Sequence, residues 1–206
     1  ELLKHGFPVI QSQTIGADDM YTGAFPCILK PIRGRGSQGV VRCNTPADFI
    51  QKRDSLLTAE IYGDLLMAEP YLPGQEITVS VFPDGTSLPI VERFAQKNGI
   101  APYNGAVPVT ENSRAMLYET KPLCTIRRAC EQAVRALDLK GLVRIDCRAA
   151  ADGTYYMFDF NLKPNLTGAA RPHRMNQNCL TMLSAKAQGW TYFDLLCKML
   201  HSRWQL

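Results

Sequence analysis

Long apolar runs are missing from this 206-residue sequence: none approaches the ~18 consecutive residues that a membrane-spanning helix needs. A charged-then-apolar signal-peptide pattern is missing too, so a membrane partner is not expected. The seven cysteines (Cys27, Cys43, Cys124, Cys130, Cys147, Cys179 and Cys197) include no C-x-x-C pair, and most sit among apolar residues. Reduced core thiols, and hence a cytoplasmic location, are the expectation. Histidine is scarce, and His5, His173 and His201 are not spaced as metal ligands. No dense basic stripe accompanies the formal charge of +4. Basic residues are scattered as Arg33, Arg35 and Arg42, then Arg127 and Arg128, then Arg171 and Arg174, so nucleic acid is not the expected partner. A few cations converging on a phosphorylated small molecule account for the same excess. Repeats and low-complexity segments are also lacking.

What is present is ordinary globular composition, 46% hydrophobic and 20% charged, enough for one sizeable core or two small lobes. Glu1 to Gly6 reads as the tail of a helix stopped by glycine, which suggests an excised domain. A short strand over Phe7–Ile10 and a polar stretch to Thr22 follow. Strands are expected over Phe25–Pro31, Val40–Cys43, Leu65–Glu69 and Gln75–Phe82; the last alternates, with Ile77, Val79 and Val81 on one face and Glu76, Thr78 and Ser80 on the other, and returns at Asp84-Gly85 through Leu88–Ala95. Thr45 as N-cap and Pro46 at the first helical position predict a helix to about Leu57. Residues 96–113 show no periodicity and read as a loop. An apolar stripe of Ile126, Cys130, Ala133, Val134 and Leu137 predicts a helix over Lys121–Leu139 ended by Gly141. Strands Leu142–Ala149 and Thr154–Leu162 join at Asp152-Gly153, and helices over about 175–187 and 191–203 close the chain. Hairpin-dominated strands interrupted by helices predict an α+β architecture.

The hairpin at Asp152-Gly153 carries the most chemistry. With those two residues as the whole turn, Asp146 lies opposite Asp159 and Arg144 opposite Asn161. Strand parity puts these four on one face and Val143, Ile145, Cys147, Phe158 and Phe160 on the other. Opposed carboxylates about 5 Å apart repel, which points to a cation between them. Oxygen-only donors favour Mg²⁺. The alternative is a slipped register, or a solvated face on which Arg144 and Arg148 neutralise the pair.

A second feature is Lys30 at a strand end, followed by the glycine-rich turn Arg33–Gly39. Three glycines free the backbone to bring N–H groups to an anion, with Ser37 adding a hydroxyl. The spacing is neither a Walker loop nor a dinucleotide fingerprint, and a bare hairpin would also use glycines. In the third, Met67 to Glu76, a strand exits into a Pro- and Gly-bounded linker that can offer backbone groups to a planar base, with Glu76 toward ribose hydroxyls. An ordinary strand connection has the same composition.

In this order the segments resemble the ATP-grasp superfamily, most closely the D-alanine–D-alanine ligase group. Phe25-Pro26-Cys27-Ile28-Leu29-Lys30-Pro31 resembles its phosphate-lysine strand, and Gly36-Ser37-Gln38-Gly39 its loop over the ATP phosphates. Glu69 to Leu72, with Tyr71, is similar to the adenine linker, and Glu76 to the ribose glutamate. Arg144-Ile145-Asp146 matches an Arg-x-Asp strand. Asp159-Phe160-Asn161-Leu162-Lys163-Pro164-Asn165-Leu166-Thr167 resembles a Glu-x-Asn-x-x-Pro-Gly-x-Thr signature, with Asp159 for Glu and Asn165 for Gly.

The resemblance implies an ATP-grasp fold of two small α+β lobes with ATP bound between them. The small lobe would cover 20–95, the larger 1–19 and 96–206, and the family's N-terminal domain would be absent from this chain. Lys30, Gly36, Ser37, Gly39, Glu69, Tyr71, Leu72 and Glu76 would bind ATP, and Asp146, Asp159 and Asn161 would hold Mg²⁺. Arg144 and Lys30 would be catalytic. Lys97 is the candidate for the family's second nucleotide lysine, and Arg171 and Arg174 are candidates for a substrate carboxylate. The implied activity is ATP-dependent ligation of a small-molecule carboxylate to an amine through an acyl phosphate, and the fragment alone need not turn over. The resemblance leaves room for a homodimer in the full-length protein. Two other readings stand beside it: a non-catalytic or regulatory ATP-binding module of the same fold, and an unrelated basic binding protein.

Overall fold

The structure is a computed structural model, which describes residues 1–34, 36–101, 109–168 and 177–202. It divides into two compact units, 10–73 with 95–107, and 1–9 with 74–94 and 108–206. The first is built on a four-stranded antiparallel sheet, the second on a five-stranded antiparallel sheet. These are the α+β layers expected from the hairpin-rich sequence.

The four-stranded unit comprises β1 (Gln13–Ile15), β2 (Cys27–Pro31), β3 (Val41–Cys43), helix α1 (Pro46–Thr58) and β4 (Leu66–Pro70), in sheet order β1-β4-β2-β3. Alternation on β2 buries Cys27 and Leu29 with Ile15, Cys43, Leu66 and Ala68, and α1 closes this core with Phe49. Helix α1 starts where the sequence says it should. The Thr45 hydroxyl accepts from the Asp48 N–H at 3.2 Å, and Asp48 answers by accepting from the Asn44 N–H at 2.8 Å.

The five-stranded unit holds β5 (Glu76–Val81), β6 (Val91–Arg93), α2 (Val109–Asn112), β7 (Ser113–Ala115), α3 (Lys121–Ala136), β8 (Val143–Ala149), β9 (Tyr155–Asn161), α4 (Leu180–Ala187) and α5 (Tyr192–His201). Its sheet order is β7-β6-β5-β8-β9. One sheet face buries Ile77, Val79, Val81, Val143, Ile145 and Cys147 against Leu123, Ile126, Cys130, Ala133 and Val134 of α3. Helices α4 and α5 enclose a second cluster with Phe82, Leu88, Met182, Ala185 and Leu195. All seven cysteines are free, and five are buried in these cores. Among the described residues no helix is long and apolar enough to cross a membrane.

Several elements depart from the sequence expectation. The stretch before Thr22 contains β1, and Phe7–Ile10 makes only an isolated bridge from Val9 to Met157. The expected loop 96–113 contains α2 and the start of β7. Neither β1 nor β7 shows alternation over more than three residues, which is too short a window to read. Helix α3 ends at Ala136 rather than running to Gly141: Asp138 is left-handed at φ 50°, and the Leu139 N–H closes the turn on the Val134 carbonyl at 3.1 Å. The unit boundaries differ from 20–95 as well. β1 pairs with β4, which takes residues from Ile10 onward into the four-stranded unit, whereas β5 pairs with β8, which takes 74–94 into the other.

A clamp joins the β5–β6 turn to α5. Asp84 Oδ2 lies 2.6 Å from Lys198 Nζ, and Oδ1 accepts from the Thr86 N–H and hydroxyl. Partial burial pulls the Asp84 pKa up, but the hydrogen bonds from Lys198 and Thr86 outweigh it and hold it at about 2. Because the folded value is depressed, this contribution to stability is present above the usual 3.8 and is lost as pH falls through about 2. In an NMR titration, Lys198→Ala is expected to move Asp84 back toward 3.8. An unmoved value would remove Lys198 as the cause.

Candidate functional site

The polar face of the five-stranded sheet carries the expected metal set, Arg144 and Glu76. Three cross-strand rows follow from the register. Arg93, Glu76 and Arg148 form one; Thr78, Asp146 and Asp159 the next; Ser80, Arg144 and Asn161 the third. Glu76, Thr78, Ser80, Arg93, Asp146 and Arg148 are all buried. Charged groups this far from water require partners. The register supplies them.

Asp146 is the centre. Its Oδ1 accepts from Arg144 Nε at 3.0 Å and from the Thr78 hydroxyl at 2.5 Å. Its Oδ2 accepts from Arg144 Nη2 at 3.1 Å and from Asn161 Nδ2 at 3.2 Å. Burial alone would push the Asp146 carboxyl up, but the Arg144 charge and its paired hydrogen bonds, with Thr78, hold it below the usual carboxylate range. Arg144 is likewise kept protonated: burial opposes its charge, and Asp146 and Asp159 outweigh that.

Asp159 is exposed and directly opposite Asp146, as the sequence predicted. Asn161 Nδ2 lies 3.3 Å from Asp159 Oδ2 as well as 3.2 Å from Asp146 Oδ2, so a single atom spans the two carboxylates.

The opposition is reached by a route that the sequence did not reveal. The turn is three residues, Ala151 to Gly153, closed by the Ala150 N–H to the Thr154 carbonyl at 2.8 Å, with Gly153 at φ 84°. That length pairs Ala149 with Tyr155, Arg148 with Tyr156 and Cys147 with Met157. A bulge at Phe158 then restores Asp146 to Asp159 and Arg144 to Asn161. Met157, not Phe158, therefore joins Cys147 in the core. The expected place of Phe158 on the core face is corrected by the extra residue.

Glu76 lies in the next row, enclosed with Arg93 Nη1 at 3.7 Å and Arg148 Nη1 at 3.6 Å. Burial pushes its carboxyl up despite Arg93 and Arg148, and the Asp146 charge adds to the rise. Thr78 and Arg93 were not singled out from the sequence. Alternation on β5 did put Thr78 on the face of Glu76, and that was the available signal.

The four-stranded unit carries the remaining expected residues. Lys30 and Glu69 are diagonal neighbours on β2 and β4, joined by a 2.7 Å ion pair with both side chains largely enclosed. Gly36, Ser37 and Gly39 all have left-handed backbone (φ 62°, 66° and 72°), a conformation that glycine adopts without steric cost. A Cβ at Gly39 would come within 2.8 Å of both Pro31 and Tyr62, so only glycine fits there. Tyr71 follows β4; its N–H bonds the Pro26 carbonyl at 3.2 Å and its ring lies under Arg42 at 4.1 Å. Leu72 is half-buried beside it. Arg171 and Arg174 lie outside the described residues.

Oxygen donors from Asp146, Asp159 and Asn161 form a hard set suited to Mg²⁺, which is typically held by one or two carboxylates with water and phosphate completing its shell. Among the described residues no group of three or more His, Cys, Asp and Glu could hold a metal ion.

Comparison with known proteins decides the family. A family model described as the D-ala D-ala ligase C-terminus matches residues 6–201. The chain belongs to this family. The D-alanine–D-alanine ligase of Anaeromyxobacter dehalogenans (strain 2CP-C) is 31% identical over 169 residues, covering 80% of this chain and 52% of the relative. That of Synechococcus sp. (strain JA-3-3Ab) is 27% identical over 184 residues, covering 87% of this chain and 52% of the relative. The chain thus spans about half the length of the relatives it matches. In fold it is similar to the D-alanine–D-alanine ligase from Bacillus anthracis complexed with ATP (TM-score 0.72, 21% identity, 98% of this chain and 61% of that one). The enzyme from Coxiella burnetii matches with TM-score 0.72 and 17% identity over 98% of this chain and 53% of that one. The fold of this family member is ATP-grasp.

Proposed function

We propose that this chain is the ATP-binding part of an ATP-dependent ligase that joins a small, amino-acid-like carboxylate to an amine. The observation that carries the reading is the opposed pair Asp146 and Asp159, with Arg144 and Asn161 in the adjoining row. Asp146, Asp159 and Asn161 would hold Mg²⁺, which supplies charge neutralisation for phosphoryl transfer when bound. A rotation of the Asn161 amide would present its oxygen where Nδ2 now spans the carboxylates. Arg144 would face charge developing on the transferred phosphoryl group, positioned by Asp146. Gly36, Ser37 and Gly39 would direct donors at phosphate, with Lys30 beside them. Glu69, Tyr71 and Leu72 would receive the base, and Glu76 the ribose. In the family's reaction a substrate carboxylate attacks the γ-phosphate to give an acyl phosphate and ADP. The amine then displaces inorganic phosphate and leaves an amide.

A second reading, a nucleotide-binding module without turnover, is favoured by one observation. The Asp146 oxygens already accept from Arg144, Thr78 and Asn161. Phosphate release that depends on an added amino acid separates the two readings, and its absence in the full-length protein would favour the second.

Calorimetry of ATP binding with Mg²⁺ and then with EDTA tests the site itself. Asp159→Asn keeps the side chain's size and removes one of two opposed charges, so stability should change by less than about 1 kcal/mol. Magnesium-dependent ATP affinity should fall on the order of 100-fold, as for loss of a metal-site partner. Unchanged affinity would remove Asp159 from the metal set.

A further inference from the structure

Each unit holds a pair of neighbouring cysteines in its core. In the five-stranded unit the Sγ atoms of Cys130 on α3 and Cys147 on β8 lie 3.7 Å apart. In the four-stranded unit Cys27 and Cys43 are direct cross-strand partners on β2 and β3. Both are fully buried in the same cluster, so both side chains leave the same face of the sheet. Directly opposed residues of an antiparallel pair have Cα atoms about 4.5 or 5.5 Å apart. Either spacing falls within the roughly 4.4–6.8 Å that a disulfide spans. All four cysteines are free thiols.

The two pairs differ in how they can be reached. Strand β3 is the edge of its sheet, only three residues long and hydrogen-bonded to β2 alone. Cys43 is its last residue and Cys27 is the first of β2, so the pair closes the hairpin at the end away from the glycine-rich turn. Strand ends at a sheet edge open locally, at a fraction of the free energy of global unfolding. Cys147 instead lies within β8, which is bonded to β5 on one side and β9 on the other, and Cys130 is buried above it on α3. Exposing that pair means breaking the five-stranded sheet.

The surroundings also say which sulfur reacts first. A hydrogen bond from the Cys27 thiol holds Cys43 below the ordinary thiol range, and the Lys52 charge helps it against burial and Asp48. Lys52 Nζ is placed for this, 2.7 Å from the Arg42 carbonyl in the peptide group that leads into Cys43. Cys27, as the donor, is pushed well up by the same bond and by burial. We infer that Cys27 and Cys43 form a redox-reactive dithiol, which closes to a disulfide across β2 and β3 when the folded protein meets a hydroperoxide. The Cys43 thiolate attacks one peroxide oxygen; an S–O bond forms, the O–O bond breaks, and the departing hydroxide is protonated to water. Cys27 gives up its proton and attacks the Cys43 sulfenic sulfur; the S–S bond forms, the S–O bond breaks, and a second water leaves. With hydrogen peroxide, two thiols are thus oxidised to one disulfide and one peroxide is reduced to two waters.

The test is peptide mapping by mass spectrometry after the folded, reduced protein is treated with hydrogen peroxide and its remaining thiols are alkylated in denaturant. Peroxide is raised until Cys124 or Cys197 is oxidised, since both are only half-buried and report that the oxidant has acted. Arg33 and Arg42 lie between the two cysteines, so trypsin leaves them on separate peptides unless a disulfide joins them. The expected result is a Cys27–Cys43 linked peptide that dithiothreitol separates, formed at least about tenfold faster than any Cys130–Cys147 link. In Cys27→Ser, Cys43 is expected to stop at the sulfenic acid, trapped by a dimedone reagent. The unsubstituted protein decides the matter even where that variant does not fold. Recovery of Cys27 and Cys43 as alkylated thiols, once Cys124 or Cys197 is oxidised, would overturn the inference. A Cys130–Cys147 link formed at the same rate would overturn it too, because the chemistry would then belong to the unfolded chain.

Discussion

Asp146→Ala is expected to destabilise the five-stranded unit by about 3–5 kcal/mol, the cost of leaving a buried charge without its partner. Arg144 is the charge stranded: its side chain is only 11% exposed, and it gives Asp146 both its Nε and Nη2 hydrogens. Thr78 and Asn161 would lose an acceptor as well. The double variant Arg144→Met, Asp146→Ala should recover part of the loss, because an ion pair replaced on both sides leaves no orphan. Urea denaturation of the two single variants and the double supplies the cycle. An additive double variant would mean that the pair is not coupled. The same pair predicts acid sensitivity. The folded Asp146 carboxyl lies below its ordinary value, so its contribution is present above that value and lost as pH falls through the folded one.

Phe49→Ala should cost about 3–5 kcal/mol, the range for deleting a fully buried aromatic. Phe49 has no exposed surface and is the fully buried aromatic that α1 sends into the core of the four-stranded unit, with Leu56 and Leu57 packed partly buried against the same cluster. Its ring stacks on Tyr21 at 6.4 Å and meets Phe25 edge-on at 6.2 Å, while Tyr21 and Phe25 meet each other at 5.9 Å. Removing the shared ring leaves a void that two rigid neighbours cannot fill by rotating. The measurement is hydrogen exchange at the Leu29 and Ala68 amides, against Ile145 of the other unit as reference. A loss under about 1 kcal/mol would show that the aromatic cluster is not what holds α1 to its sheet.

Both predictions rest on positions with very different legibility in the sequence. The start of α1 is local chemistry: Thr45, Pro46 and Asp48 specify it within four residues, and the structure follows. The apolar stripe of α3 is similarly local, and it failed only at its end, where Asp138 takes the left-handed position. The facing of Asp146 and Asp159 was read from a two-residue turn that does not exist. The true three-residue turn and the bulge at Phe158 each shift the register by one, and together they leave the predicted pairing intact. A bulge has no reliable mark in a single sequence, because the side chain that it displaces is chosen by packing on both faces.

By itself the sequence determined the α+β class, the helix start at Thr45, the hydrophobic face of β5 and the identity of the residues on the polar one. Those follow from periodicity and capping, which act over a few residues. Only the tertiary structure decided which charges meet: Lys30 with Glu69, Glu76 with Arg93 and Arg148, Asp146 with Arg144 and Thr78. Ion pairing within a few ångströms depends on sheet order and strand register, which are set by the burial of the whole core and not by the neighbours of any one charged residue.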